Sequence, residues 1–206
     1  MTSEVGKSKE EGVDGGRRHF LLVATTVTGI AGAAMTAVPF LASWKPSARA
    51  QALGAPVEQD ISKLEQGAMV KVNWRGQAIF IVHRSPEMMK QLENPALDGR
   101  LRDPKSEQSD QPKYAQNELR SLKPDYLVLV GVCTHLGCAP LGRFQPGDAE
   151  LGADWPGGFY CPCHGSKFDL AGRVFKDVPA PTNLKVPPYR FVTDGVVQIG
   201  VDAEVA

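Results

Sequence analysis

Hydrophobic and polar positions divide the chain into three regimes. Residues 1–18 are polar, with Lys7, Lys9, Arg17 and Arg18 set against Glu4, Glu10, Glu11 and Asp14, a mixture that predicts a short disordered tail. From Phe20 to Trp44 there is no Asp, Glu, Lys, Arg or His. As a helix this run spans ~37 Å, against a hydrocarbon core of about 30 Å, which predicts one transmembrane anchor over residues 19–44. Ala48-Arg49-Ala50 offers a competing reading as a small-residue cleavage site. The run is nevertheless much longer than the roughly 7–15 apolar residues of a removed signal. Gly29, Gly32, Ala33 and Ala34 make one region small enough for close helix packing. Trp44 falls where an interfacial aromatic is expected. Residues 45–59 bear Ala, Pro and Gly without a sustained apolar period and read as a spacer.

From Asp60 onward the period shortens to that of strands. Met69-Val70-Lys71-Val72-Asn73-Trp74 alternates, Gln77 to His83 is a second apolar run, and Arg75-Gly76 between them predicts a tight hairpin turn. Tyr126 to Val132 is a continuous apolar strand, and Gly157-Gly158-Phe159-Tyr160 leads into another. Phe191-Val192, Thr193-Asp194-Gly195 and Val196 to Val201 predict a last hairpin. Between residues 85 and 124 the pattern breaks into a charged, proline-bearing insertion, with short helices expected at Pro86–Leu92 and Tyr114–Leu122. His83 reads as a strand residue. The fold class is therefore mainly β: a small antiparallel domain over 60–206 with a helix–loop insertion, preceded by one transmembrane helix.

Composition narrows this little. The 206 residues carry 23 Lys+Arg and 23 Asp+Glu. There is no basic excess for nucleic acid and no acidic run for a solvating tail.

The candidate chemistry is concentrated in two stretches. Cys133-Thr134-His135-Leu136-Gly137-Cys138 and Cys161-Pro162-Cys163-His164-Gly165-Ser166 contain all four cysteines and two of the four histidines. Three readings compete. A zinc site takes four of the six side chains as a tetrahedron. Two plain disulfides leave the histidines unused. An iron–sulfur centre with two thiolates on one iron and two imidazoles on the other takes Cys133 and His135 from one loop and Cys161 and His164 from the other. Cys138 and Cys163 are then free to bond to each other.

CTHLGC followed by CPCHGS resembles the signature of the Rieske iron–sulfur proteins of cytochrome bc1 complexes (ubiquinol–cytochrome c reductase), and the similarity runs from the arginine pair to the last strands. Gly16-Arg17-Arg18-His19-Phe20-Leu21 is similar to a twin-arginine export signal. Rieske ferredoxins and ring-hydroxylating dioxygenases lack the second cysteine of each loop. The presence of Cys138 and Cys163 points to the quinol-oxidising branch.

The resemblance implies a Rieske 2Fe–2S cluster held by Cys133, His135, Cys161 and His164, and a Cys138–Cys163 disulfide pinning the loops. His164 and His135 are the quinol-facing ligands, able to take up a proton as an electron arrives. Leu136 is an apolar lip over the cluster, and Ser166 a hydroxyl that hydrogen-bonds to a bridging sulfide. Many mitochondrial relatives carry a tyrosine where Phe168 stands here, so a lower potential is implied. Val178-Pro179-Ala180-Pro181 resembles the proline loop that covers the cluster, departing from the commoner Gly-Pro-Ala-Pro at Val178.

The implied activity is electron transfer from ubiquinol to cytochrome c1, as a subunit of an oxidoreductase and translocase with cytochrome b and cytochrome c1, in a dimeric complex. The spacer becomes a hinge that lets the head swing. A disulfide needs an oxidising compartment. This places the tail in the cytoplasm and the head in the periplasm, on a single-pass bacterial inner-membrane protein. The alternatives are a zinc-binding structural module, separable by colour and iron content, and a Rieske subunit of a b6f complex or periplasmic oxidase.

Overall fold

The computed structural model describes residues 14–203, which separate into two compact units divided between Arg49 and Ala50. In the first, helix α1 runs Gly15–Ser43. Asp14 starts it: its carboxylate accepts the amides of Gly16 (3.0 Å) and Arg17 (3.4 Å), two of the donors that a helix start leaves unpaired. The expected tail over 1–18 therefore ends sooner, since Arg17 and Arg18 already lie in the first turn of α1. Residues 1–13 of that expectation lie outside the described residues.

No residue of α1 is buried in the structure, and Gly15–Ala52 contains a window apolar enough to be a candidate membrane span. Its hydroxyls suit hydrocarbon. Thr25 and Thr26 donate back to the carbonyls of Leu21 and Leu22 at 2.7 Å, and Thr28 and Thr36 do the same one turn back, so none is left seeking water. Trp44 caps the helix and is exposed.

A short helix α2 (Ala48–Gly54) falls in the stretch read as spacer, and β1 (Val57–Asp60) follows. The second unit thus begins its sheet three residues before the expected boundary at Asp60. Polar Glu58, Gln59 and Asp60 hide this strand in the sequence. Its pairing with the chain's last strand makes it one: Val57 stands opposite Ile199 and Asp60 opposite Val196.

Among the described residues, nine strands form three antiparallel sheets of three. The first has the order β1–β9–β8, with β8 at Tyr189–Thr193 and β9 at Val196–Ile199. The second has the order β2–β3–β4: Met69–Trp74, Gln77–His83 and Tyr126–Val130. The third has the order β5–β6–β7: Leu141–Arg143, Gly158–Cys161 and Ser166–Phe168. The β2–β3 hairpin turns on Arg75 (φ 52°) and Gly76 (φ 74°), both left-handed, as two-residue hairpin loops require.

The core lies where β3 and β4 are covered on both faces. Ile79, Phe80, Ile81 and Val82 pack with Leu127, Val128, Leu129 and Val130, all essentially excluded from water. Each such aliphatic side chain contributes about 1.5–3 kcal/mol. Phe80 reaches the third sheet by stacking on Phe159 at 6.0 Å. Gly158 admits that sheet: at φ 147° its added Cβ would meet the Phe168 carbonyl at 2.0 Å.

In the insertion, α3 (Pro86–Leu92) forms as expected, capped by Ser85, and α4 (Pro95–Asp98) follows. The helix expected at Tyr114–Leu122 does not form; a single 3₁₀ turn, Lys113–Ala115, stands there. Arg120 (φ 52°) breaks the helical path and turns its guanidinium into the core. There it donates to the carbonyls of Ala171, Gly172 and Leu184 and to Gln111 Oε1. Arg84 is likewise buried, bonded to the carbonyls of Leu119, Pro124 and Leu170 and to Ser121 Oγ. Burial pulls both guanidiniums down to about 10. These two cations tie the insertion to the turn that follows β7.

Candidate metal centre

The two Cys/His loops leave the sheets at neighbouring points and close in the same way. Loop one, after β4, is tied by Cys133 N–H to the Cys138 carbonyl (2.8 Å) and by Gly137 N–H to the Cys133 carbonyl (3.0 Å). Loop two is the β6–β7 hairpin, with Cys161 opposite Ser166 and Gly165 N–H returned to the Cys161 carbonyl at 3.0 Å. Gly137 (φ 85°) and Gly165 (φ 74°) supply the left-handed residue that each closure needs.

Cys138 and Cys163 are bonded to each other, with Cα atoms 6.6 Å apart. Cys133 and Cys161 are free thiols, both buried. Burial pushes the Cys133 thiol up, and the neighbouring Cys161 adds to this, while the His135 amide and the Ser166 hydroxyl act the other way by hydrogen-bonding to the sulfur. The imidazoles of His135 and His164 meet edge to face, with ring centroids 4.8 Å apart. His135 is half-buried, and His164 and Leu136 are exposed.

One atom here has no partner. His135 Nδ1 is buried and makes no hydrogen bond, the one such side-chain atom among the described residues. A buried imidazole nitrogen left unpaired costs about 1–3 kcal/mol, unless something absent from the protein chain binds it. Cys161 Sγ also lies within 4.8 Å of the sulfurs of Cys138 and Cys163. That trio is no ligand set, because two of its sulfurs are spent in the disulfide. What remains is two thiols and two imidazoles, a donor set that fits a mixed-ligand two-iron cluster.

The third side of the site is the segment 178–183. Ala180 N–H donates to Ser166 Oγ at 3.1 Å, and Thr134 Oγ1 donates to the Thr182 carbonyl at 2.7 Å. Asn183 accepts Val174 N–H and donates to the Asp103 carbonyl and Ser106 Oγ. Phe168, fully buried, faces Phe159 across β6–β7. Behind β7, the buried pair Asp169–Arg173 (2.7 Å) closes the turn that carries the chain toward this segment. Ser166 and the segment Val178-Pro179-Ala180-Pro181 thus meet through the Ala180 amide. Thr134 and Asn183 attach through main-chain groups supplied by distant segments, which leaves no spacing to read.

The structure places His83 away from this centre. Its Nδ1 lies 2.7 Å from the Leu64 carbonyl and its ring stacks on Tyr126 at 4.5 Å, as a strand residue rather than a ligand.

Fold and site together define a Rieske-type 2Fe–2S domain, and the Rieske [2Fe-2S] domain family matches residues 56–188. The family of ubiquinol–cytochrome c reductase Fe–S subunit TAT signals matches residues 7–47. The chain is 56% identical over 192 residues to the ubiquinol–cytochrome c reductase iron–sulfur subunit of Allochromatium vinosum, covering 93% of this chain and 92% of the relative. It is 46% identical to that of Blastochloris viridis, covering 89% and 92%. Among solved structures, the hyperthermophilic respiratory Complex III matches with a TM-score of 0.44 at 25% identity, over 87% of this chain and 98% of the other. The chain belongs to the family of Rieske iron–sulfur subunits of ubiquinol–cytochrome c reductase, electron-transfer subunits whose cofactor is a 2Fe–2S cluster.

Proposed function

We propose that this chain takes one electron and one proton from ubiquinol and delivers the electron to cytochrome c1, within a dimeric complex whose cytochrome b completes the quinol pocket. The observation that carries this reading is the orphaned, buried His135 Nδ1 beside two free buried thiols, under loops closed by the remaining two cysteines. Cys133, Cys161, His135 and His164 hold the cluster. When bound, it supplies a one-electron acceptor whose potential neutral imidazoles raise above that of an all-cysteine centre.

The chain's own residues do the rest. With Nδ1 of His135 committed to metal, its Nε2 is the atom left to take up a proton. His164, exposed beside it, offers a second acceptor at the surface a quinol can reach. Leu136 is 72% exposed, and among the described residues of the two loops it is the large apolar side chain that faces outward. It excludes water from the cluster and meets the quinol's apolar surroundings. Ser166 and the amides of the loops hold the sulfurs. The disulfide fixes the distance between the loops in either redox state.

α1 anchors the subunit in the bacterial inner membrane after twin-arginine export, with the head in the periplasm. The disulfide favours that side, since cytosolic thiols are kept reduced. The part of the expected 45–59 hinge that precedes β1, up to Pro56, lets the head reach cytochrome c1.

Anaerobic mixing of the purified complex with ubiquinol tests the reading. Cluster reduction should precede cytochrome c1 reduction, one electron per quinol passing through the two in series while the second leaves to cytochrome b, with both reductions lost in His164→Ala. Cytochrome c1 reduction that proceeds unchanged in that variant would remove the chain from the quinol reaction.

A further inference from the structure

The insertion between residues 85 and 124 reads as surface decoration in the sequence, yet its middle is built into the cluster domain. Arg100-Leu101-Arg102 lies antiparallel beside Val174-Phe175-Lys176. Leu101 bridges Phe175, Arg102 N–H donates to the Val174 carbonyl at 3.0 Å, and Lys176 N–H donates to the Arg100 carbonyl at 2.8 Å. Val174 in turn bridges Phe168 of β7. A strand-like stretch of the insertion thus extends the sheet that carries loop two, and it puts the Arg102 side chain beside the segment that covers the cluster.

Arg102 is exposed, and among the described residues it has no carboxylate partner. An unpaired surface arginine ordinarily extends into water. Here the guanidinium folds back and donates to the carbonyls of Val178 (3.1 Å) and Pro181 (3.4 Å). The planar fork suits such double donation, whereas a lysine ammonium is a point donor. Val178 and Pro181 bracket Pro179-Ala180, and Ala180 is the residue whose N–H holds Ser166 Oγ. Prolines on both sides of Ala180 stiffen the turn but remove two N–H donors, so the loop depends on its carbonyls for outside attachment. Thr134 holds the far end through the Thr182 carbonyl.

We propose that Arg102 is a positioning residue for the cluster: its guanidinium clamps the two ends of the proline turn, and through the Ala180–Ser166 hydrogen bond it fixes the Ser166 hydroxyl at the cluster site. The inference rests on the ligand assignment given above. Ser166 Oγ has one hydrogen to give. With the Ala180 amide bound to its lone pair, that hydrogen is directed toward sulfur, where it stabilises the more negative, reduced centre. Loosening the turn frees the hydroxyl to rotate and lowers the potential.

Loss of charge near the cluster would also lower the potential, so the informative variant keeps the charge. Arg102→Lys retains the cation and can reach one carbonyl at a time. In the purified complex, redox titration of Arg102→Lys should show a midpoint lowered by about threefold in the equilibrium constant, roughly 28 mV at 59 mV per decade for one electron. Ser166→Ala should lower it as well, and adding Arg102→Lys to Ser166→Ala should give no further shift, since the two act in series. Hydrogen exchange at the Ala180 amide should quicken in Arg102→Lys with cluster content unchanged.

An unchanged midpoint with unchanged Ala180 exchange would overturn the proposal. So would shifts that add in the double variant, which is the signature of two independent effects. A wild-type protein without any redox wave would sink the ligand assignment instead, and the Ala180 exchange comparison would still decide whether the clamp exists.

Discussion

Cys138 and Cys163 join the two cluster loops through their outer residues, while Cys133 and Cys161, one at the base of each loop, stay reduced and buried. One pair of cysteines is therefore structural, and the other is free to serve the cluster proposed above. The division follows depth: the thiols nearest the core stay reduced, and the pair nearer the surface is bonded. In the chain-entropy description, a cross-link 25 residues apart is worth about 3.5 kcal/mol.

The Cys138→Ser/Cys163→Ser double variant should therefore lose about 3.5 kcal/mol in denaturant unfolding of the head and release iron faster than the wild type. Chemical denaturation with parallel iron analysis checks both. Equal midpoints and equal iron retention would show that the loops need no staple.

Leu136 separates function from stability. It is 72% exposed, so trimming it removes almost no buried area. Leu136→Ala should leave the melting temperature and the cluster spectrum unchanged, within about 0.5 kcal/mol, while cutting quinol turnover by roughly tenfold, or about 1.4 kcal/mol in the barrier. Turnover equal to wild type would mean that Leu136 does not meet the quinol pocket.

These residues also mark how far the sequence could be read. The two loops were legible because metal chemistry demands particular side chains at fixed spacing, and the β2–β3 hairpin because Arg75-Gly76 interrupts two clear strands. β5 and β7 escaped for opposite reasons. Leu141-Gly142-Arg143 is too short and glycine-bearing to show a period, and Ser166-Lys167-Phe168 is masked by the motif it completes. The missing helix at Tyr114–Leu122 shows a tertiary contact overriding local propensity: Arg120 gains carbonyl partners from a turn some fifty residues later, which no window could reveal. The third wall of the site was visible only as prolines, because its attachments are main-chain groups.

Phe168 offers a test of the tuning. It is buried on β7, two residues past Ser166. Phe168→Tyr should raise the midpoint potential if the added hydroxyl reaches a ligand sulfur. Each tenfold gain in the equilibrium constant corresponds to 59 mV for one electron. A titration in which the variant matches or falls below the wild type would show that the residue's environment differs from that of its relatives.

Tyr189 supplies a pH dependence remote from the metal. Burial pushes its phenol up to about 12, against the Leu122 amide and the Arg84 charge, which act the other way. Its hydroxyl accepts Leu122 N–H at 2.8 Å. The folded value lies above the unfolded value of about 10, so the protonated phenol's contribution is complete below pH 10 and is lost as pH rises toward 12. The wild type's stability advantage over Tyr189→Phe should therefore shrink by about 2–3 kcal/mol across that window, at 1.36 kcal/mol per unit. Unfolding of both proteins at pH 9 and pH 11.5 measures it, and a constant difference would mean that the phenol ionises at its ordinary value.

Low-temperature EPR of the ascorbate-reduced protein, purified from membranes, tests the cluster most directly. Ligation by Cys133, Cys161, His135 and His164 predicts a rhombic signal with the average g of mixed thiolate and imidazole coordination, developed fully by ascorbate. A silent spectrum with one zinc per chain would contradict the iron centre itself. A Rieske signal that appears only with dithionite would contradict quinol oxidation and leave a low-potential carrier.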